Sequence, residues 1–193
     1  KIKLLGIAKS QNADVEIRVH PTLVPKNRLV ANVDGAMNAV LVHGNMVGPT
    51  LYYGAGAGAE PTASAVVADV IDIARQTKLS QNTLIPSLGF MPDKINEKNI
   101  LSIENIFSEY YLRFTMKNQA GLLAKITNIF ADHDISINSM VHKEVQENNQ
   151  NPDIFLITSK TKEADIDTII SEIELLPENI EKVVKIRTEE LNK

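Results

Sequence analysis

Leu51-Tyr-Tyr-Gly-Ala-Gly-Ala-Gly-Ala-Glu-Pro-Thr-Ala-Ser-Ala-Val-Val-Ala-Asp-Val-Ile-Asp-Ile-Ala-Arg75 is the stretch around which the rest of the chain is arranged. Gly54, Gly56 and Gly58 alternate with alanines and run straight into a helical pattern. Pro61 suits the first turn of that helix, because it has no N–H to lose there and its φ is preset. Ala63, Val66, Val67, Val70, Ile71 and Ala74 recur at helical spacing, with Asp69, Asp72, Arg75 and Gln76 on the other side. A turn without side chains at a helix start exposes backbone N–H groups, and these suit an anion such as phosphate. The same glycines also suit a tight strand-to-helix turn that does nothing more than pack closely. Spacing alone leaves both readings open.

Upstream, Ile2 to Ala8 reads as a strand. Ala13 to Val19 reads as a second, with Val15, Ile17 and Val19 alternating against Asp14, Glu16 and Arg18, as in a half-buried strand with its apolar side inward. His20-Pro21 is expected to end it, since proline cannot extend the ladder. Asn27 to Val33 has room for one or two helical turns. Ala36 to His43 and Met46 to Tyr53 flank Gly44-Asn45, a two-residue hairpin signature. These strands are expected to form one mixed sheet whose hairpin feeds the glycine turn. His20 and His43, lone histidines near strand ends, read as structural.

Downstream, residues 78–108 carry Pro86, Gly89 and Pro92 without sustained periodicity and read as a connector, with a helical turn between Asn99 and Phe107. From Glu109 the pattern changes. Tyr110 to Met116 is a strand. Gly121 to Asp132 is a helix with Leu122, Leu123, Ile126, Ile129 and Phe130 on its apolar side. Ile135 to Lys143 and Ile154 to Thr161 are strands around a polar loop, Glu144 to Asp153. Asp165 to Leu176 is a second helix and Glu181 to Thr188 the closing strand. The order βαββαβ is that of the ferredoxin-like plait. The fold class is therefore α+β, divided as 1–77, 78–108 and 109–193. Many functions share this plait, so its order alone assigns none.

Composition narrows the field. The chain has 193 residues and a formal net charge of −4, which leaves no broad basic footprint for nucleic acid. Without cysteine there are no disulfides or thiolate metal sites, which suits a cytoplasmic protein. No metal site is read from the sequence. No apolar run approaches the ~20 residues that span a bilayer, so no membrane partner is expected. The chain opens inside an apolar strand pattern without methionine, which points to a longer protein.

The first third resembles homoserine dehydrogenases, in which G-x-G-A-G leads into a T-A-x-x-V helix. Gly54-Ala55-Gly56-Ala57-Gly58 and Thr62-Ala63-Ser64-Ala65-Val66 stand in those places. Ile2-Lys3-Leu4-Leu5-Gly6-Ile7-Ala8, His20-Pro21 and the run Leu29 to Ala39 agree in order. The resemblance implies an NAD- or NADP-dependent oxidoreductase interconverting L-homoserine and L-aspartate 4-semialdehyde. It also implies that Gly54, Gly56 and Gly58 approach the cofactor, where a β-carbon at Gly56 would crowd it. None of Lys1, Lys3 or Lys9 fits the family's acid–base lysine motif, so the catalytic residues are expected upstream of Lys1. The helix after Gly58 is expected to pack on the nucleotide domain.

Lys117-Asn118-Gln119-Ala120-Gly121-Leu122-Leu123-Ala124-Lys125-Ile126 resembles the D-x-x-G-x-L-A-x-I signature of ACT domains, small amino-acid-binding regulators of metabolic enzymes. Asn118 replaces the commoner Asp and Ala120 the usual Pro. Asn118 is expected to cap the helix, and Gly121 to leave its start open to a carboxylate. By resemblance, Asn118, Gln119, Ala120, Gly121 and Leu122 bind an amino acid together with Ile137 and Asn138 of the neighbouring strand. The family's pathway points to L-threonine as that effector, in a homo-oligomer. Two other readings stay open. A freestanding amino-acid sensor leaves Ala36 to Arg75 unexplained, and a dimerisation fragment pairs its sheet edges between chains.

Overall fold

The computed structural model describes residues 1–11, 14–77, 86, 88–143 and 151–191. It divides into two compact units, Lys1–Lys26 with Asn99–Leu191, and Asn27–Lys98.

The first unit is built on the plait. β5 (Phe107–Thr115), α2 (Leu122–Asp132), β6 (Ile137–Lys143), β7 (Asp153–Thr158), the short β8 (Thr161–Lys162), α3 (Glu163–Glu174) and β9 (Val184–Thr188) follow the expected order. Led by β1 (Ile2–Gln11) and β2 (Asp14–Leu23), the sheet runs β1-β2-β9-β5-β7-β6, with β8 pairing the start of β5. Its last four strands are the plait's own, and their neighbouring pairs are antiparallel. Ser108, Tyr110, Leu112 and Phe114 alternate inward along β5. Leu122, Ile126 and Phe130, spaced by four, and Ile166, Ile169 and Ile173, spaced by three and four, bring both helices onto that core. Each such side chain contributes about 1.5–3 kcal/mol by leaving water. Glu163 and Asp165 place negative charge in the first turn of α3, where the helix dipole favours it.

Four expectations change here. First, β1 (Ile2–Gln11) and β2 (Asp14–Leu23) form a hairpin that joins the plait sheet, not a sheet with the later hairpin. Thr22 and Leu23 pair in parallel with Arg187 and Thr188, and the Glu189 N–H donates to the Leu23 carbonyl at 2.9 Å. Spatially the chain is thus cut differently from the boundaries at 77 and 108. Second, His20-Pro21 does not end β2. Pro21 sits opposite Leu4, and pairing with β9 begins one residue later, so its missing N–H leaves no gap in that ladder. Third, the alternation of β2 is real but inverted. Glu16, Arg18, His20 and Thr22 are buried, while Ile17 and Val19 are 51% and 71% exposed. The charged side is tolerated inward because it finds partners. Arg18 reaches Glu16 at 2.7 Å and Glu189 at 2.9 Å.

The second unit holds a 3₁₀ turn (Val30–Asn32), the hairpin β3 (Met37–Gly44) and β4 (Gly48–Ala55), and α1 (Ala59–Gln76). Here lies the fourth change. Gly44 pairs with Gly48, so three residues make the turn instead of the expected two. Gly48, at φ +74°, takes the left-handed place that follows a three-residue hairpin turn. None of the residues of α1 is buried, and Val66, Val67 and Val70 are exposed. The expected turn before Phe107 is a 3₁₀ turn at Ile103–Asn105. Most of the expected connector start, 78–85 with 87, and the core of the polar loop, 144–150, lie outside the described residues. No helix among the described residues is long and apolar enough to cross a membrane.

Candidate functional site

The glycine turn closes the β3–β4 hairpin onto α1. Gly54 faces Asn38 across the ladder, and the Gly56 N–H donates to the Ala36 carbonyl at 3.2 Å. Gly58 caps α1 at φ 131°, ψ 154°, an arrangement open to glycine, and its carbonyl accepts from the Thr62 N–H at 3.1 Å. Gly56 is not in the left-handed region. A Cβ there would stand 1.9 Å from Asn38 Nδ2 and 2.6 Å from its Cγ. The space over Gly56 is filled by this chain's own Asn38, which favours the packing reading of that glycine. Around Gly54 the corresponding space is open. Pro61 removes one N–H from the helix start and Glu60 brings a carboxylate to it, so the anion-binding capacity of this helix end is reduced.

The second candidate lies in the plait, where β5 passes into α2. The cap of α2 is Gly121, at φ +83°, and no side chain caps the helix. Asn118 therefore does not have the capping role its position suggested. With Gly121 supplying the sharp turn, Asn118, Gln119 and Ala120 remain exposed, and of residues 118–122 Leu122 alone turns into the core. The Leu122 N–H donates to the Gln119 carbonyl at 3.3 Å, and intrahelical bonding opens with Lys125 N–H to Gly121 at 3.0 Å. The N–H groups of Leu123 and Ala124 precede that bond at the helix start. No atom lies within 4 Å of a Cβ built on Gly121, so the space beside this cap is open.

Sequence reasoning missed the other side of this corner. The Lys117 N–H donates to the Glu178 carbonyl at 2.9 Å, and Lys125 Nζ donates to Glu178 Oε1 at 2.5 Å. Glu178 is buried, its Oε2 without a hydrogen-bond partner, and so is Asn179 Oδ1. The hydrogen bond from Lys125 holds the Glu178 carboxyl below the usual carboxylate range. Pro177-Glu178-Asn179 looks in the sequence like any polar turn. Its contact with α2, across 53 positions, comes from tertiary folding.

Ile137 and Asn138 stand elsewhere. The register of β6 against β7 shifts between Ile137 and Ser139, and Asn138 Nδ2 donates to the Thr158 carbonyl at 3.1 Å and to Glu109 Oε1 at 3.3 Å. Glu109 is near the start of β5, whereas Gly121 follows its end at Thr115. Six residues at about 3.3 Å each separate the two levels by about 20 Å. Within one chain the structure therefore brings 118–122 together but not with Ile137 and Asn138.

A third cluster gathers around one buried carboxylate. The buried Glu163 carboxylate accepts from Tyr110 Oη at 2.6 Å, Lys185 Nζ at 2.6 Å and Arg187 Nε at 2.8 Å and Nη2 at 2.5 Å. Burial pushes its carboxyl up, but these donors outweigh it and hold the group below its ordinary value. Burial, then the hydrogen bond to Glu163, pushes the Tyr110 phenol far up. His20 is pushed toward its neutral form. Burial lowers its pKa more than the Pro21 carbonyl, 3.0 Å from Nδ1, raises it. These groups hold the fold together. Among the described residues no group of three His, Asp or Glu side chains is placed to hold a metal ion.

The first unit is thus an ACT-type plait widened by a hairpin, and the second presents a glycine turn before an exposed helix. Comparison with known proteins agrees on both parts. Residues 1–71 match the homoserine dehydrogenase family and residues 110–178 the ACT domain. Homoserine dehydrogenases of Pseudomonas aeruginosa and Neisseria gonorrhoeae are each 45% identical over 192 residues, covering 100% of this chain and 44% of theirs. The crystal structure of a homoserine dehydrogenase from Thiobacillus denitrificans superposes with a TM-score of 0.89 at 50% identity, covering 100% of this chain and 43% of that one. The chain belongs to the homoserine dehydrogenase family, and spans less than half the length of these relatives.

Proposed function

We propose that the chain is the C-terminal part of an NAD(P)-dependent homoserine dehydrogenase, interconverting L-homoserine and L-aspartate 4-semialdehyde in the biosynthesis of threonine, methionine and isoleucine. Its ACT domain would apply amino-acid feedback, with L-threonine as effector. The observation that carries this reading is the 45% identity running through both parts of the chain. The reading includes NADP or NAD as cofactor, a cytoplasmic setting and a homo-oligomer. Catalytic side chains belong to the part of the family preceding Lys1. Gly54 and Gly58 are the better candidates to approach the cofactor, since Gly56 is faced by Asn38.

An amino-acid effector fits the Gly121 corner, where helix N–H groups suit an α-carboxylate. Oligomerisation fits the separation of Asn138 from it. Among the described residues β6 is paired on one side only. Antiparallel pairing of two copies along β6 would set the Asn138 end of one against the Lys143 end of the other, the level at which Gly121 lies. The exposed apolar side of the β1–β2 hairpin, with Leu4 and Val19 more than 70% exposed, also favours association.

The test is a chimera in which this chain replaces the corresponding part of the Pseudomonas aeruginosa relative. It is expected to reduce NADP with homoserine at about 1 s⁻¹ or faster, an ordinary enzymatic rate. A folded, soluble chimera with no turnover would refute the reading.

A further inference from the structure

We infer that Glu178, assisted by Asn179, receives the α-ammonium group of an amino acid whose carboxylate lies on the start of α2. The inference rests on the effector reading and adds to it the residues that distinguish an amino acid from a plain carboxylate. The helix start alone selects only for negative charge. What adds to it is a pair of oxygen acceptors left without donors. Glu178 is 5% exposed, and its Oε2 is buried and unpartnered while Oε1 accepts a hydrogen bond from Lys125 Nζ. Lys125 is one turn along α2 from Gly121, so its grip brings the carboxylate beside the first turn of that helix. The Lys117 N–H bond to the Glu178 carbonyl ties the same residue to the other end of the 118–121 loop. Asn179 Oδ1, next in the chain, is a second buried acceptor without a donor.

A buried oxygen without a donor is destabilising, because it has given up water and gained no partner. An ionised one is costlier, and Glu178 is held in its ionised form. A cationic N–H donor removes that cost, and the strongest hydrogen bonds are those between charged partners. An α-amino acid presents such a donor beside the carboxylate that the helix start takes, one carbon away. A hydroxy acid or a simple carboxylate offers the second group without the first. This corner therefore has the two halves of zwitterion recognition within one chain.

The experiment is isothermal calorimetry on the whole chain, wild type and Glu178→Gln, with L-threonine and with 3-hydroxybutyrate, which is threonine without its ammonium. Glycine-free backbone geometry is untouched by this substitution, and a circular dichroism melt checks folding. Expected is at least a tenfold loss of threonine affinity in Glu178→Gln, with 3-hydroxybutyrate bound equally weakly by both proteins. A merely structural role would weaken both ligands alike, and that result overturns the inference. Equal threonine affinity in both proteins overturns it as well, while leaving the effector reading intact. If wild type binds neither threonine nor isoleucine, methionine, lysine or serine, both fail together. Should Glu178→Gln not fold, Asn179→Ala carries the same comparison, with a several-fold loss confined to threonine expected and an unchanged or unselective effect overturning the inference.

Discussion

Replacing Glu163 by alanine removes the acceptor that three elements share. Its carboxylate, 3% exposed at the start of α3, takes four hydrogen bonds, from Tyr110 on β5 and from Lys185 and Arg187 on β9. Lys185 keeps a contact with the exposed Asp167, but the Arg187 guanidinium and the Tyr110 hydroxyl lose theirs. Removing one partner of a buried ion pair costs about 3–5 kcal/mol, because the other charge stays buried and uncompensated. At about 2–4 °C per kcal/mol for a chain of this size, melting should fall by about 6–20 °C. Tyr110→Phe removes only one donor from a carboxylate that keeps three others, and should cost about 1 kcal/mol. The pH dependence has a fixed sign. The folded carboxyl titrates below its ordinary value of 4.5, so its contribution is fully present above pH 4.5 and is lost as pH falls through the folded value. Scanning calorimetry of wild type, Glu163→Ala and Tyr110→Phe between pH 3 and 7, roughly the carboxylate range and above, follows both effects. A melting point within about 2 °C of wild type in Glu163→Ala, or an unaltered acid limb, would refute the argument, since each kcal/mol lost should move it that far.

Gly56→Ala should cost at most about 1 kcal/mol of local stability, because it has to turn aside only the exposed end of the Asn38 side chain, and nearly nothing in an Asn38→Ala background, because contacting sites are not additive. Hydrogen exchange of the β3–β4 amides reads the difference, and equal effects in both backgrounds would contradict it. Saturating threonine should stabilise the chain by about 2.7 kcal/mol at a hundredfold excess over Kd. A melt unmoved by tens of millimolar threonine, roughly such an excess for a sub-millimolar site, would count against the effector. Sedimentation at micromolar concentration should give at least twice the chain mass of 21.3 kDa, and a clean monomer would contradict association.

How far the sequence carried the fold varies with the range of the interaction. The plait was legible throughout, because Ile166, Ile169 and Ile173 or Tyr110, Leu112 and Phe114 announce their elements within a few residues. Alternation along β2 was equally clear, yet it states only which residues share a side. Which side is buried depended on Glu189, 171 positions from Arg18. Pro21 looked like a strand end because the sequence does not tell that pairing to β9 starts only at Thr22. The Gly121 corner was found by its glycine, but Glu178 was not, since a Glu in a Pro-Glu-Asn turn carries no local sign of burial. Asn118 drew attention as a capping type, and Gly121 in the left-handed region made a side-chain cap unnecessary.

Feedback through the ACT domain is measured directly by the rate of NADP reduction by the chimera at fixed homoserine, titrated with threonine. The predicted result is a saturable fall in rate that disappears when residues 109–193 are replaced by an ACT domain that does not bind threonine. A rate unmoved by threonine, isoleucine, methionine, lysine and serine alike, in a chimera that turns over homoserine, would contradict it.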